Sequence, residues 1–172
     1  ICLSLALGLA GFLPATAQVP AELFTAELLP GWRTESGSHM AAIRLNLSQG
    51  WKTYWRSPGE AGIPPEFNWQ GSENIQSVQI HWPTPEVFNF NGMQSIGYAR
   101  ELVLPVEIWP TQKGQPVKLA TEMTLGVGRD VCVQAQGGLN GLLPASGSTD
   151  PAIRAAIRAQ PRGTVQGRIR IT

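Results

Sequence analysis

The stretch VKLATEMTLGV, residues 117–127, puts Val117, Leu119, Thr121, Met123, Leu125 and Val127 on one side of an extended chain. Lys118, Ala120, Glu122, Thr124 and Gly126 fall on the other. Successive Cβ atoms in a strand point to opposite faces, so this period of two predicts a strand with one face in a core. The pattern recurs along the chain. Ile43, Leu45 and Leu47 alternate with Arg44, Asn46 and Ser48, and after a turn at Gly50, Trp51, Thr53 and Trp55 oppose Lys52, Tyr54 and Arg56. Val78, Ile80 and Trp82 form another set, followed by Leu102, Leu104, Val106 and Ile108; Pro105 inside that last run argues for an edge or a bulge. Turns such as Ser57-Pro58-Gly59 and Ile63-Pro64-Pro65 separate the runs. The expected fold is therefore all-β, an antiparallel sandwich.

One helix interrupts the strands, at DPAIRAAIRA over residues 150–159: Asp150 caps, Pro151 suits the first turn, and Ile153, Ala156 and Ile157 form the apolar stripe. A closing strand is expected over residues 165–171.

The first segment differs in kind. ICLSLALGLAGFL is a continuous apolar run followed by Pro14 and the small-residue pattern Ala15-Thr16-Ala17, which reads as the core and cleavage site of a secretory signal peptide over residues 1–17. It is shorter than the roughly 20 residues a membrane span needs. The chain begins at Ile1 without a basic n-region, so it is expected to be clipped at its start, and ending on a strand leaves the C-terminus open to truncation. Residues 18–172 then form one domain in an oxidising compartment. Cleavage would remove Cys2 and leave Cys132 as the only cysteine, which excludes an internal disulfide.

The formal charge of +1 gives no reason to expect nucleic acid as partner. His39 and His81 stand at no metal-ligand spacing from Cys132, so neither a metal nor a cofactor is expected. The motifs H-E-x-x-H and G-x-S-x-G and the P-loop are missing from the sequence, and Glu60, Glu66, Glu86 and Asp130 are scattered through turns. Six tryptophans admit a sugar-stacking surface, with Trp51 and Trp55 on one strand face, although core packing is the better account of them.

Three segments carry a family resemblance: GWKTYWRSPGEAGIPPEFNW (50–69), FNFNGMQSIGYARELVLPVEI (88–108) and DVCVQAQGGL (130–139). They resemble the periplasmic N-terminal domain of the thiol:disulfide interchange protein DsbD and the related suppressor-of-copper-sensitivity proteins. The resemblance implies an immunoglobulin-like sandwich in the periplasm that takes electrons from a membrane thiol reductase and passes them to thioredoxin-like proteins. It also implies a reversible disulfide between two cysteines under an aromatic cap loop. The C-x-x-x-C pattern of that family would place the second cysteine on Cys132 and the first on Gly128, which has no sulfur; Gln134 and Gln136 stand where the family has proline and an acid. The cap loop would fall near residues 86–92, with Phe88 or Phe90 as the shield.

Three functions follow as expectations. One is a redox-interchange module of this type, degenerate or completed by a cysteine from another chain. The second is a non-enzymatic sandwich that binds a periplasmic or membrane partner, and the third is a tryptophan-rich carbohydrate-binding module. Cys132 itself, flanked by Val131 and Val133, reads either as a reactive thiol or as a buried, inert strand residue.

Overall fold

Strands dominate the computed structural model, which describes residues 22–163 and 169–170. In chain order the elements are β1 (Phe24–Arg33), β2 (His39–Leu47), β3 (Lys52–Gly59), β4 (Glu66–Asn68), β5 (Ser77–Ile80), β6 (Glu86–Phe90), β7 (Met93–Ala99), β8 (Glu101–Trp109), β9 (Val117–Gly128), β10 (Cys132–Leu143), α1 (Pro151–Arg158) and β11 (Ile169–Arg170). They pair into a five-stranded sheet of order β1-β2-β8-β5-β11 and a six-stranded sheet of order β10-β9-β3-β7-β6, with β4 added against β9. Pairing within both sheets is antiparallel. The expected immunoglobulin-like sandwich with one short helix is the fold found.

The alternating runs supply its core. Ile43, Leu45, Leu104, Val106 and Ile108 face inward from one sheet and meet Val117, Leu119, Met123, Leu125 and Val127 from the other. Each such side chain, fully buried, contributes roughly 1.5–3 kcal/mol. Pro105 lies in β8, which is central in its sheet, where an edge or bulge was expected. The physical reason is local. The Pro105 carbonyl accepts from the His81 backbone N–H, and the ladder of β5 ends at Ile80↔Val106. A strand residue's N–H and C=O point the same way, so the missing N–H faces a place where the neighbouring strand has already stopped.

Strand β2 breaks strict alternation, being buried continuously from His39 to Ile43. Its second face is covered by α1, which docks on the outer side of the five-stranded sheet through Ile153 against Leu29, Met40 and Ala42. Asp150 caps the helix, accepting from the N–H groups of Ala152 at 2.8 Å and Ile153 at 3.2 Å. Residues 1–17, read as a signal segment, lie outside the described residues. Of the closing strand expected over 165–171, only Ile169 and Arg170 are described, pairing with Val78 and Ser77. No described helix is long and apolar enough to cross a membrane.

Two expectations test this packing. Ile153→Ala should cost about 2–4 kcal/mol in urea unfolding, as deletion of a fully buried aliphatic side chain does, while leaving the reactivity of Cys132 on the opposite sheet unchanged. His39 is fully buried and hydrogen-bonds the Pro30 carbonyl through Nε2. Burial holds its imidazole below the usual value, aided by the charge of Arg33 and opposed by the Pro30 bond. A depressed folded value means the unfolded chain binds the proton first, so stability is complete above about pH 6.5 and is lost as the pH falls below it. His39→Gln, whose amide keeps a donor for Pro30, should show a shallower fall in Tm between about pH 7.5 and 5 than the parent; equal slopes would show that His39 does not carry the effect.

Candidate thiol site on the outer face of the six-stranded sheet

Strands β9 and β10 form a long hairpin whose register runs from Leu143↔Val117 to Cys132↔Gly128, closed by Arg129, Asp130 and Val131. Because Val127 and Leu125 point into the core, Gly128 and Gly126 present the outer face. Cys132, directly opposite Gly128, stands on that outer face too, while Val133 packs against the core. Cys132 is half-buried and free. It is thus not packed into the core, as the buried-residue reading had it. Directly opposed antiparallel residues have Cα atoms about 4.5–5.5 Å apart, within the roughly 7 Å that a disulfide can span. Position 128 thus has the backbone placement of a disulfide partner.

Two further residues, neither singled out by the sequence, share the face. Lys52 on β3 is the register partner of Gly128 and, on its other side, of Ala99. Tyr54, two residues on, pairs with Gly97. Its ring is buried although it points away from the sandwich core, because glycines surround it. A Cβ on Gly62 or on Gly126 would lie 2.8 Å from a ring carbon, and one on Gly128 would overlap the Tyr54 hydroxyl outright. That hydroxyl stands beside the Cys132 thiol, and burial first, then the neighbouring thiol and its charge, push the phenol far above its ordinary range. It therefore stays protonated at any physiological pH and serves as a donor.

The cap region is more regular than expected. Residues 86–90 form β6, and Asn91 and Gly92, with φ of 50° and 80°, make the two-residue turn into β7. Asn-Gly at positive φ is the favoured hairpin connection, so a strand pair stands where a loop was expected. Phe88 pairs with Ser95, and its ring receives the Lys52 ammonium at 4.6 Å from the centroid. This contact links the hairpin to the strand beside Gly128. Phe90 pairs with Met93 through its backbone; its side chain lies outside what the structure describes.

The hairpin tip separates its charges from the thiol question. Arg129 pairs with Asp130 at 3.2 Å and lies 5.5 Å over the Trp51 ring. Both charged groups are more than half exposed, so the pair adds little. Val131, 68% exposed, leaves an apolar side chain beside Cys132. Gln134 and Gln136 are exposed on the same outer side of β10.

Other candidates are not gathered here. His39 is buried in β2, and His81 bonds Glu107 at 2.9 Å on the other sheet. Among the described residues no group of His, Cys, Asp and Glu is placed to hold a metal. Trp51 and Trp55 pack toward the core, with Arg56 over the exposed side of the Trp55 ring at 5.0 Å, and Trp69 and Trp82 are buried. The paired strand-face tryptophans are thus a core wall, not an open platform.

Comparison with known proteins bears on this geometry. The sequence model for the N-terminal region of the thiol:disulfide interchange protein DsbD matches residues 25–144, nearly the span from β1 to the end of β10. In three dimensions the chain is similar to the crystal structure of the N-terminal periplasmic domain of ScsB from Proteus mirabilis, with 30% sequence identity and a TM-score of 0.61. The match covers 79% of this chain and 53% of that one, so this chain spans about half its length. No protein of curated function matches in sequence. A sandwich of this topology, matched from β1 to β10 and carrying a cysteine at the β9–β10 hairpin, belongs to the family of DsbD N-terminal thiol:disulfide interchange domains.

Proposed function

We propose that the domain is a periplasmic thiol:disulfide interchange module that works with one thiol, Cys132, capturing oxidised thioredoxin-like proteins as mixed disulfides. The observation that supports this best is the pairing of Cys132 with Gly128 across the hairpin. The backbone is set for a bridge, one sulfur is in place, and the other position carries no side chain.

The chemistry balances with one thiol. The Cys132 thiolate attacks one sulfur of a partner's disulfide; a bond forms between Sγ and that sulfur, the partner's S–S bond breaks, and the partner's second cysteine leaves as a thiolate that takes up a proton. A second thiol at position 128 would then displace the partner and complete a two-electron transfer. Glycine cannot do so. Net reduction of the partner therefore needs a thiol from another molecule, for which a membrane thiol reductase is the candidate donor. The exposed Val131 beside the thiol supports docking of a partner, as do Val87 and Met93 on the β6–β7 hairpin. The contact of Phe88 with Lys52, the strand neighbour of Gly128, supports reading Phe88 as the shield of the site when no partner is bound.

The test uses the full chain carrying Cys2→Ser, so that Cys132 is its sole thiol. The partner is a thioredoxin-like protein with one active-site cysteine, activated as a mixed disulfide with thionitrobenzoate. One thionitrobenzoate should be released per domain, with formation of a reducible covalent heterodimer that Cys132→Ser abolishes. The domain alone should not turn over a thioredoxin-like protein that has both its cysteines. A native chain that yields no heterodimer, while its denatured form reacts with the same reagent, would sink the proposal.

A further inference from the structure

We propose that Tyr54 is a positioning residue of this site, its hydroxyl filling the volume that a side chain at position 128 would occupy and holding the Cys132 thiol by a hydrogen bond. The inference rests on the one-thiol reading and deepens it. A dithiol site that had merely lost a sulfur would keep an empty place at position 128. Here the place is taken: a Cβ on Gly128 overlaps the Tyr54 hydroxyl, and the Tyr54 ring is seated against Gly62 and Gly126, which hold it there from either side. Because Gly128 lies directly opposite Cys132, the hydroxyl stands next to the one sulfur that remains. The site is thus rebuilt around a phenol and a thiol.

Two consequences separate this from simple packing. The first concerns space. Restoring a cysteine at position 128 requires the phenol oxygen to leave, whereas the ring carbon that bears it lies 3.4 Å from the new Cβ, an ordinary contact. The second concerns charge. A phenol O–H donated to sulfur favours the thiolate that attacks disulfides, so its effect on rate depends on how much thiolate would form unaided. The other charged groups about Cys132 are Lys52 on β3, held over Phe88 of β6, and the Arg129 and Asp130 pair in the hairpin turn. Tyr54→Phe changes none of them.

In the Cys2→Ser background, Gly128→Cys is compared with Gly128→Cys combined with Tyr54→Phe. After mild oxidation, free-thiol counts and intact mass should show an intramolecular disulfide forming roughly tenfold faster in the combined variant than in Gly128→Cys alone, given the cost of displacing a packed side chain. Equal rates, or no bridge in either, would overturn the proposal. With Gly128 retained, Tyr54→Phe should slow attack of Cys132 on the thionitrobenzoate disulfide of the thioredoxin-like probe roughly threefold to tenfold near pH 7, as loss of one hydrogen bond implies. Near pH 10 the difference should vanish; a loss of the same size at both pH values would mark a structural role only and would also overturn it. If Cys132 fails to react with the probe at all, the one-thiol reading falls while the bridging comparison still decides the part of Tyr54.

Discussion

The register of β9 is the constraint on which the rest depends. Its six inward residues from Val117 to Val127 lock one face to the core, and a slip of one position would send all of them to solvent. With that face held, Gly126 and Gly128 must look outward. The antiparallel ladder with β10 then carries Cys132 to the same side, and the ladder with β3 does the same for Lys52 and Tyr54. Core packing on one side of the strand thus determines the placement of the thiol on the other.

Much of this was legible in the sequence because alternation is local. The inward set of β9, the face shared by Lys52 and Tyr54, and the capped helix at Asp150 can each be read from a window of a dozen residues, and each stands in the structure as read. Less legible was anything that depends on which strands adjoin. Tyr54 reads as a solvent-facing residue because nothing near it in sequence announces that Gly62 and Gly126 will close on its ring. Lys52 meets Gly128 only through a pairing of β3 with β9, across more than seventy residues of chain. Pro105 was legible as an exception, yet its place in a central strand follows from where β5 ends, which periodicity does not reveal.

The glycines show how such a site is held once the strands are paired. Gly97 packs so closely on β3 that a Cβ there would lie 2.8 Å from the Tyr54 Cα, and Gly62 and Gly126 leave room for the ring itself. Glycine in a strand weakens it, through lost packing and greater unfolded-state entropy. That cost is offset here by burial of an aromatic ring on a face that would otherwise meet water, together with the loop of Gly62 and Ile63 folded over it. The outer face is therefore closely packed around Tyr54 next to Cys132. A packed neighbour suits a hydrogen bond to sulfur, a weak acceptor as a thiol that gains most when it is charged.

Directionality is the last issue that a single thiol raises. Two thiols on one domain resolve a mixed disulfide intramolecularly, at an effective concentration that bulk thiols rarely reach. With only Cys132, the thiol best placed to attack the mixed disulfide is the partner's own second cysteine, and its attack regenerates the starting disulfide. Capture is then reversible and transfers no net electrons unless a further thiol competes. On the proposed reading, the domain's output is set less by its own reduction potential than by the occupancy of that competing donor. Two features of the hairpin tip bear on that competition. Val131, exposed beside the sulfur, favours an apolar protein surface over a small charged thiol, and the adjacent Arg129 and Asp130 cancel one another at the tip itself. On the same proposed reading, a protein thiol docked at the tip suits the part of the donor that turns capture into transfer.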